Sequence, residues 1–139
     1  MSPSVMLTMM VAGALLLAGC EVAPSTEEAN APGAGTYRTI TPAEAKARLA
    51  ADAAIRLVDV RTPEEYAEKR IPGSILLPDY ELEALAPALL PKKDATIFVY
   101  CRSGRRSREA ALKLLALGYT HVYDLGGIIS WPYETVAGP

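Results

Sequence analysis

One stretch limits the possible folds more than any other. Residues 95–100, Ala-Thr-Ile-Phe-Val-Tyr, form a short apolar run that ends on Cys101. Arg102-Ser103-Gly104-Arg105-Arg106-Ser107 follows, and then a helix-like run reaches Leu117. By residue type this is strand, tight loop, helix. It places Cys101 at the C-terminal end of a strand, where open α/β sheets hold their ligands. The loop leads into a helix N-terminus, whose unpaired N–H groups and positive dipole end favour an anion. Arg102, Arg105, Arg106 and Arg108 add charge around the sulfur, an electropositive setting that predicts a thiol more easily ionised than a free one.

The rest of the chain repeats the alternation. Residues 37–40 read as a first strand. Thr41-Pro42-Ala43-Glu44 is a helix start, with Thr41 as N-cap, Pro42 at the first helical position and Glu44 closing a capping box. That helix is expected to end near Ala50. Residues 55–60 are a strand apolar on both sides, as buried parallel strands are. Thr62-Pro63-Glu64-Glu65 repeats the helix-start pattern, and this second helix stops before Ile71-Pro72-Gly73. Residues 74–77 make another strand, and 81–90 a helix interrupted or kinked at Pro87. The helix over 105–117 stops at Gly118. Residues 121–125 form the last strand. Gly126-Gly127 is read as a turn, and 128–133 as a closing turn with Trp131 packed inward. The alternation predicts right-handed βαβ units: a doubly wound, mostly parallel sheet of about five strands with helices on both faces.

The 139 residues suit one compact domain, and half of them are hydrophobic, which supports a globular core. A net charge of −2 gives no reason to expect nucleic acid. The arginines near Cys101 are a local cluster in a slightly acidic chain, suited to a small anion.

Residues 1–20 carry no charged side chain, and their apolar centre is too short to span a membrane. Leu17-Ala18-Gly19-Cys20 resembles a bacterial lipobox. The expectation is a signal peptide over 1–19, a lipid on Cys20, a flexible tether over 20–36 rich in Pro, Gly, Ala and Glu, and a domain over 37–139. The usual Lys or Arg before the apolar core is missing. The reading implies an extracytoplasmic domain held at a membrane. It also leaves Cys101 as the odd thiol out, a candidate nucleophile not expected to pair with Cys20.

The run Cys101-Arg102-Ser103-Gly104-Arg105-Arg106-Ser107 resembles the active-site loop of the rhodanese family of sulfurtransferases. Residues 57–66 (Leu-Val-Asp-Val-Arg-Thr-Pro-Glu-Glu-Tyr), Ile71-Pro72-Gly73-Ser74, and Leu125-Gly126-Gly127-Ile128 with Trp131 extend the likeness over about 37–139. The resemblance implies that Cys101 takes a sulfane sulfur from a small anionic donor such as thiosulfate. A persulfide forms and passes its sulfur to cyanide or a thiol. Loop N–H groups would hold the persulfide. Gly104 lets the loop bend, and the Ser103 and Ser107 hydroxyls can add donors. Arg102, Arg105 and Arg106 would attract the donor.

Family likeness also puts Asp59 and Arg61 at the active-site surround. A plain salt bridge supporting the loop fits the same residues. Glu65 and Tyr66 are read as structural, with Tyr66 in the core. The family often carries Gly-His before Ile-Pro-Gly; Lys69-Arg70 stands here, so substrate preference does not transfer from relatives.

The same architecture serves phosphatases and arsenate reductases with Cys-x5-Arg. Here the spacing from Cys101 to Arg106 is Cys-x4-Arg, a smaller bowl that suits one sulfur better than a phosphate. A non-catalytic membrane-tethered module, acting as thiol sensor or docking partner, is the alternative from another class. His121 is the lone histidine and reads as incidental. No metal-ligand cluster and no Gly-rich nucleotide loop is present, so no metal and no cofactor is expected.

Overall fold

A computed structural model describes residues 36–139. The expected signal peptide and the expected lipidation site, Cys20, with all but the end of the tether, lie outside the described residues. Ten elements follow one another: β1 (Arg38–Thr39), α1 (Pro42–Ala51), β2 (Arg56–Asp59), α2 (Pro63–Glu68), β3 (Ile75–Leu76), α3 (Leu82–Leu89), β4 (Thr96–Cys101), α4 (Arg105–Ala116), β5 (His121–Gly127) and a 3-10 turn, Ile128–Ser130. The strands form one parallel sheet in the order β1-β5-β4-β2-β3.

Alternation along β4 assigns its two faces. Ile97, Val99 and Cys101 join Leu82, Ala86 and Leu90 of α3 and Ala110, Ala111, Leu114 and Leu115 of α4 in one buried cluster. Phe98 and Tyr100 face the other way, toward Ala45 of α1, Leu57, Ile71, Leu125 and Ile128. Period-two alternation in the central strand thus sets the sulfur of its last residue on the α4 side of the sheet.

Both capping boxes form. Thr41 Oγ1 accepts the Glu44 N–H at 3.2 Å, and Glu44 Oε2 accepts the Thr41 N–H at 3.0 Å. Thr62 and Glu65 repeat the pair at 3.2 and 3.1 Å. Gly118 ends α4 at φ +98°, with the Tyr119 N–H bonded to Leu114 O at 3.1 Å.

Three local expectations need correction. The helix around Pro87 is not interrupted: α3 runs unbroken through it. Gly126-Gly127 is not a turn, because β5 continues through both and pairs with Tyr100 and Cys101 after a bulge. The extra residue is Leu125, and the Asp124 carboxylate stabilises the bulge by accepting the Gly126 N–H at 2.9 Å. Trp131 does pack against the Phe98–Tyr100 cluster, half-buried, with its indole N–H donating to the Glu134 carbonyl at 3.1 Å. Tyr66 is also half-buried rather than in the core, since its hydroxyl reaches out to the Ser74 carbonyl at 2.6 Å.

Candidate active site

β4 delivers Cys101 to the C-terminal edge of the sheet, and the chain then turns through Arg102, Ser103 and Gly104 into α4. The turn closes because Gly104 takes φ +111°, a conformation that a side chain resists. Its own N–H donates to Cys101 Sγ at 3.0 Å. The sulfur is only 1% exposed, at the base of the loop. Among the described residues, the N–H groups of Arg102, Ser103, Arg105, Arg106 and Ser107 have no acceptor. Six consecutive positions therefore offer one amide already on the sulfur and five uncommitted ones.

The end of β5 is the floor of this loop. A Cβ placed on Gly127 would fall 2.3 Å from the Arg102 carbonyl oxygen and 2.7 Å from Ser103 Cα. The Ile129 N–H also donates to the Arg102 carbonyl, at 3.3 Å. Gly127 is needed for this close approach, while Gly126 meets nothing within 4 Å and serves the bulge through its φ of +87°.

The arginines divide into two kinds. Arg102 is exposed, and Arg105 is 81% exposed with only a loose 3.9 Å contact to Glu109. Arg106 is instead bound: its two terminal nitrogens fork onto Glu65 Oε1 and Oε2, both at 2.9 Å. Glu65 Oε2 also closes the α2 capping box, so one carboxylate joins the start of α2 to the start of α4. The Arg106 hydrogen bonds pull the Glu65 carboxyl down to about 2, and Glu65 in turn raises Arg106. From the sequence Glu65 reads as a structural helix cap and Arg106 as one of the arginines that attract the donor. The pair spans 41 positions, so no local pattern shows it.

Ser107 is fully buried, and its hydroxyl donates to Asp124 Oδ1 at 2.7 Å. The hydroxyl that the sequence offers as a donor for the sulfur is therefore engaged by Asp124 in this structure. Its oxygen lies 3.6 Å from Cys101 Sγ, close enough to accept the S–H hydrogen. Sequence reading misses Asp124; the available signal is a lone acid in a mostly apolar strand, two residues before Gly126-Gly127. Ser103 is exposed at the rim.

Asp59 and Arg61 form a buried ion pair at 2.6 Å, and Arg61 also donates to the Lys69 carbonyl at 2.6 Å. Burial works against the Arg61 charge, but the Asp59 hydrogen bonds and charge outweigh it and hold Arg61 above its ordinary value. The guanidinium lies over the Tyr100 ring at 5.6 Å. Of the two sequence readings, the geometry fits the support: the pair fastens the end of β2 to the end of α2. Arg70 is likewise engaged, donating to Gly138 O at 2.5 Å while its backbone pairs with Val136. His121 is exposed and hydrogen-bonded to Thr120 at 2.8 Å.

The arrangement can hold a sulfur-centred anion on backbone amides, next to an electropositive rim. Comparisons with known proteins point to sulfurtransferases. A family model described as "Rhodanese-like domain" matches residues 41–132. The chain is 40% identical over 76 residues to "Thiosulfate sulfurtransferase PspE" of Escherichia coli (strain K12), covering 55% of this chain and 73% of that protein. It is 44% identical over 85 residues to "Sulfurtransferase" of Allochromatium vinosum, covering 60% and 78%. A solved structure, "rhodanese with anions from E. coli", superposes with a TM-score of 0.57 at 36% identity, over 61% of this chain and all of that one.

Proposed function

The chain belongs to the rhodanese-like domain family, and from that premise we propose that it is a sulfurtransferase working through a Cys101 persulfide. The Cys101 thiolate attacks the outer sulfur of thiosulfate. The S–S bond to the sulfonate breaks, sulfite leaves with the bonding pair, and Cys101 keeps one extra sulfur as a persulfide anion. Cyanide or a thiolate then attacks that outer sulfur and restores the Cys101 thiolate, a double displacement. Each half-reaction conserves charge, and neither needs a metal or cofactor.

The observation that carries this reading is the Gly104 N–H on Cys101 Sγ at 3.0 Å, with five neighbouring amides uncommitted among the described residues. Amides can stabilise an anion without giving it a proton, so the persulfide is held without being protonated. In this scheme Arg102 and Arg105, which are exposed, attract the incoming dianion. Arg106 contributes charge while fixing the loop through Glu65.

The test is mass spectrometry of the protein after incubation with thiosulfate. A gain of about 32 Da, one sulfur, on the Cys101 peptide that disappears with cyanide supports the scheme. No adduct across a panel of sulfane-sulfur donors would leave a non-catalytic module in its place. The sequence Leu17-Ala18-Gly19-Cys20 supports a lipid anchor on Cys20 at the extracytoplasmic face of a membrane. The mass of the mature N-terminus tests that separately.

A further inference from the structure

Ser107 Oγ has one hydrogen and several neighbours that could take it. Asp124 Oδ1 is nearest at 2.7 Å; the Gly104 carbonyl is at 3.1 Å and already accepts the Arg108 N–H. The Gly126 carbonyl is at 3.5 Å. On its other side the Ser107 oxygen faces Cys101 Sγ at 3.6 Å, where it can only accept while its hydrogen points at Asp124. That orientation suits a neutral thiol, whose S–H can donate. It does not suit a sulfur anion, which needs a donor.

We propose that Asp124 competes with the Cys101 sulfur for the single Ser107 hydroxyl hydrogen, and so is a positioning residue that sets how readily the sulfur carries negative charge. With the thiol neutral, the carboxylate holds the hydrogen. With the sulfur ionised or carrying an extra sulfur, the hydroxyl swings from Asp124 to the sulfur and becomes a further donor beside the Gly104 N–H. Asp124 keeps the Gly126 N–H throughout, so the bulge beneath the loop survives the swing. The carboxylate thus opposes the sulfur anion, and Ser107 supports it. This inference deepens the persulfide reading, but the contest for the hydrogen exists in the resting thiol and can be measured without sulfur transfer.

Two single variants separate the roles because their expected signs are opposite. Asp124→Asn keeps an oxygen for the Gly126 N–H but replaces a charged acceptor by a weaker neutral one, which releases the hydroxyl. Ser107→Ala removes the hydroxyl altogether. Other charges near the sulfur stay the same in both: Arg106 of α4 with Glu65 of α2, Asp79 after β3, and Arg102 and Arg105 on the loop. The readout is the rate of Cys101 alkylation by iodoacetamide in the full chain as a function of pH, followed on the Cys101 peptide.

Asp124→Asn should raise the rate at pH values below the ionisation midpoint by roughly two- to tenfold, the equivalent of one hydrogen bond. Ser107→Ala should lower it. The double variant should match Ser107→Ala alone. If both single variants lower the rate, Asp124 only supports the fold. If the Asp124→Asn gain persists without Ser107, the carboxylate acts through space. Either result overturns the proposal and leaves the persulfide reading standing; a missing sulfur adduct would do the reverse.

Discussion

Arg106 and Glu65 form a two-point clasp, each guanidinium nitrogen 2.9 Å from its own carboxylate oxygen. The clasp joins the first turn of α4, which frames the cysteine loop, to the capped start of α2. Both side chains are about one-quarter exposed, so solvent weakens but does not abolish the attraction. A cation placed beside the sulfur is thereby held still by a residue 41 positions earlier.

Removing Arg106 should therefore do two things. Arg106→Ala is expected to lower stability by about 1 kcal/mol and to raise the KM for thiosulfate. Arg106→Lys should recover little of either, because a single ammonium cannot reproduce the fork. Arg102→Ala should raise KM with no change in thermal midpoint. Thermal melts and steady-state kinetics on the three variants check the division; an unchanged KM in all of them would remove the arginines from donor binding.

Acid should loosen the same clasp. The Glu65 carboxyl is held at about 2 when folded, below its ordinary 4.5. The unfolded chain takes up that proton first, so the Glu65 contribution is complete above its ordinary value and fades as pH falls from there toward about 2. Urea midpoints measured across that window should drop for the native chain. Glu65→Gln should be less stable at neutral pH and show a shallower drop.

Cys101→Ala should abolish sulfur transfer and the adduct while leaving the fold intact. The substitution removes one sulfur that accepts the Gly104 N–H and costs little packing volume. Circular dichroism and a cyanide-dependent thiocyanate assay would report both halves, and residual turnover above background would exclude Cys101 as the nucleophile.

Gly127→Ala is expected to be the most damaging glycine change near the loop. Its methyl would overlap the Arg102 carbonyl oxygen at 2.3 Å, and the atom it meets is backbone, so the loop itself must move. About 1–3 kcal/mol of destabilisation and a large fall in kcat are expected. Gly73→Ala is the control: Gly73 also has a positive φ, +81°, but its Cβ meets nothing within 4 Å. It should cost about 1 kcal/mol through backbone strain and leave kcat alone.

Elements governed by neighbours in sequence were legible before any coordinates. Thr41 with Glu44, and Thr62 with Glu65, wrote both helix starts, and the apolar run before Cys101 wrote the central strand. What stayed hidden depends on residues far apart in the chain. The Glu65–Arg106 clasp and the Ser107–Asp124 bond exist only once α2, α4 and β5 share an edge of the sheet. Gly126-Gly127 misled for a related reason. Glycine pairs usually mark turns; here the bulge requires Gly126 at φ +87°, and the passage of Arg102 overhead requires Gly127. Pro87 misled because it denies the helix only one donor, and α3 tolerates that loss.

The tight stacking of Gly127 beneath Arg102 and Ser103 also bears on how such a protein could acquire new acceptors. Any side chain at position 127 would meet the main chain of the loop, so the floor of the site admits no substitution unless the loop itself moves. Variation in what the site accepts must then come from the rim, from side chains such as Arg102, Arg105 and the exposed Ile129, which can be exchanged without disturbing the curve beneath them.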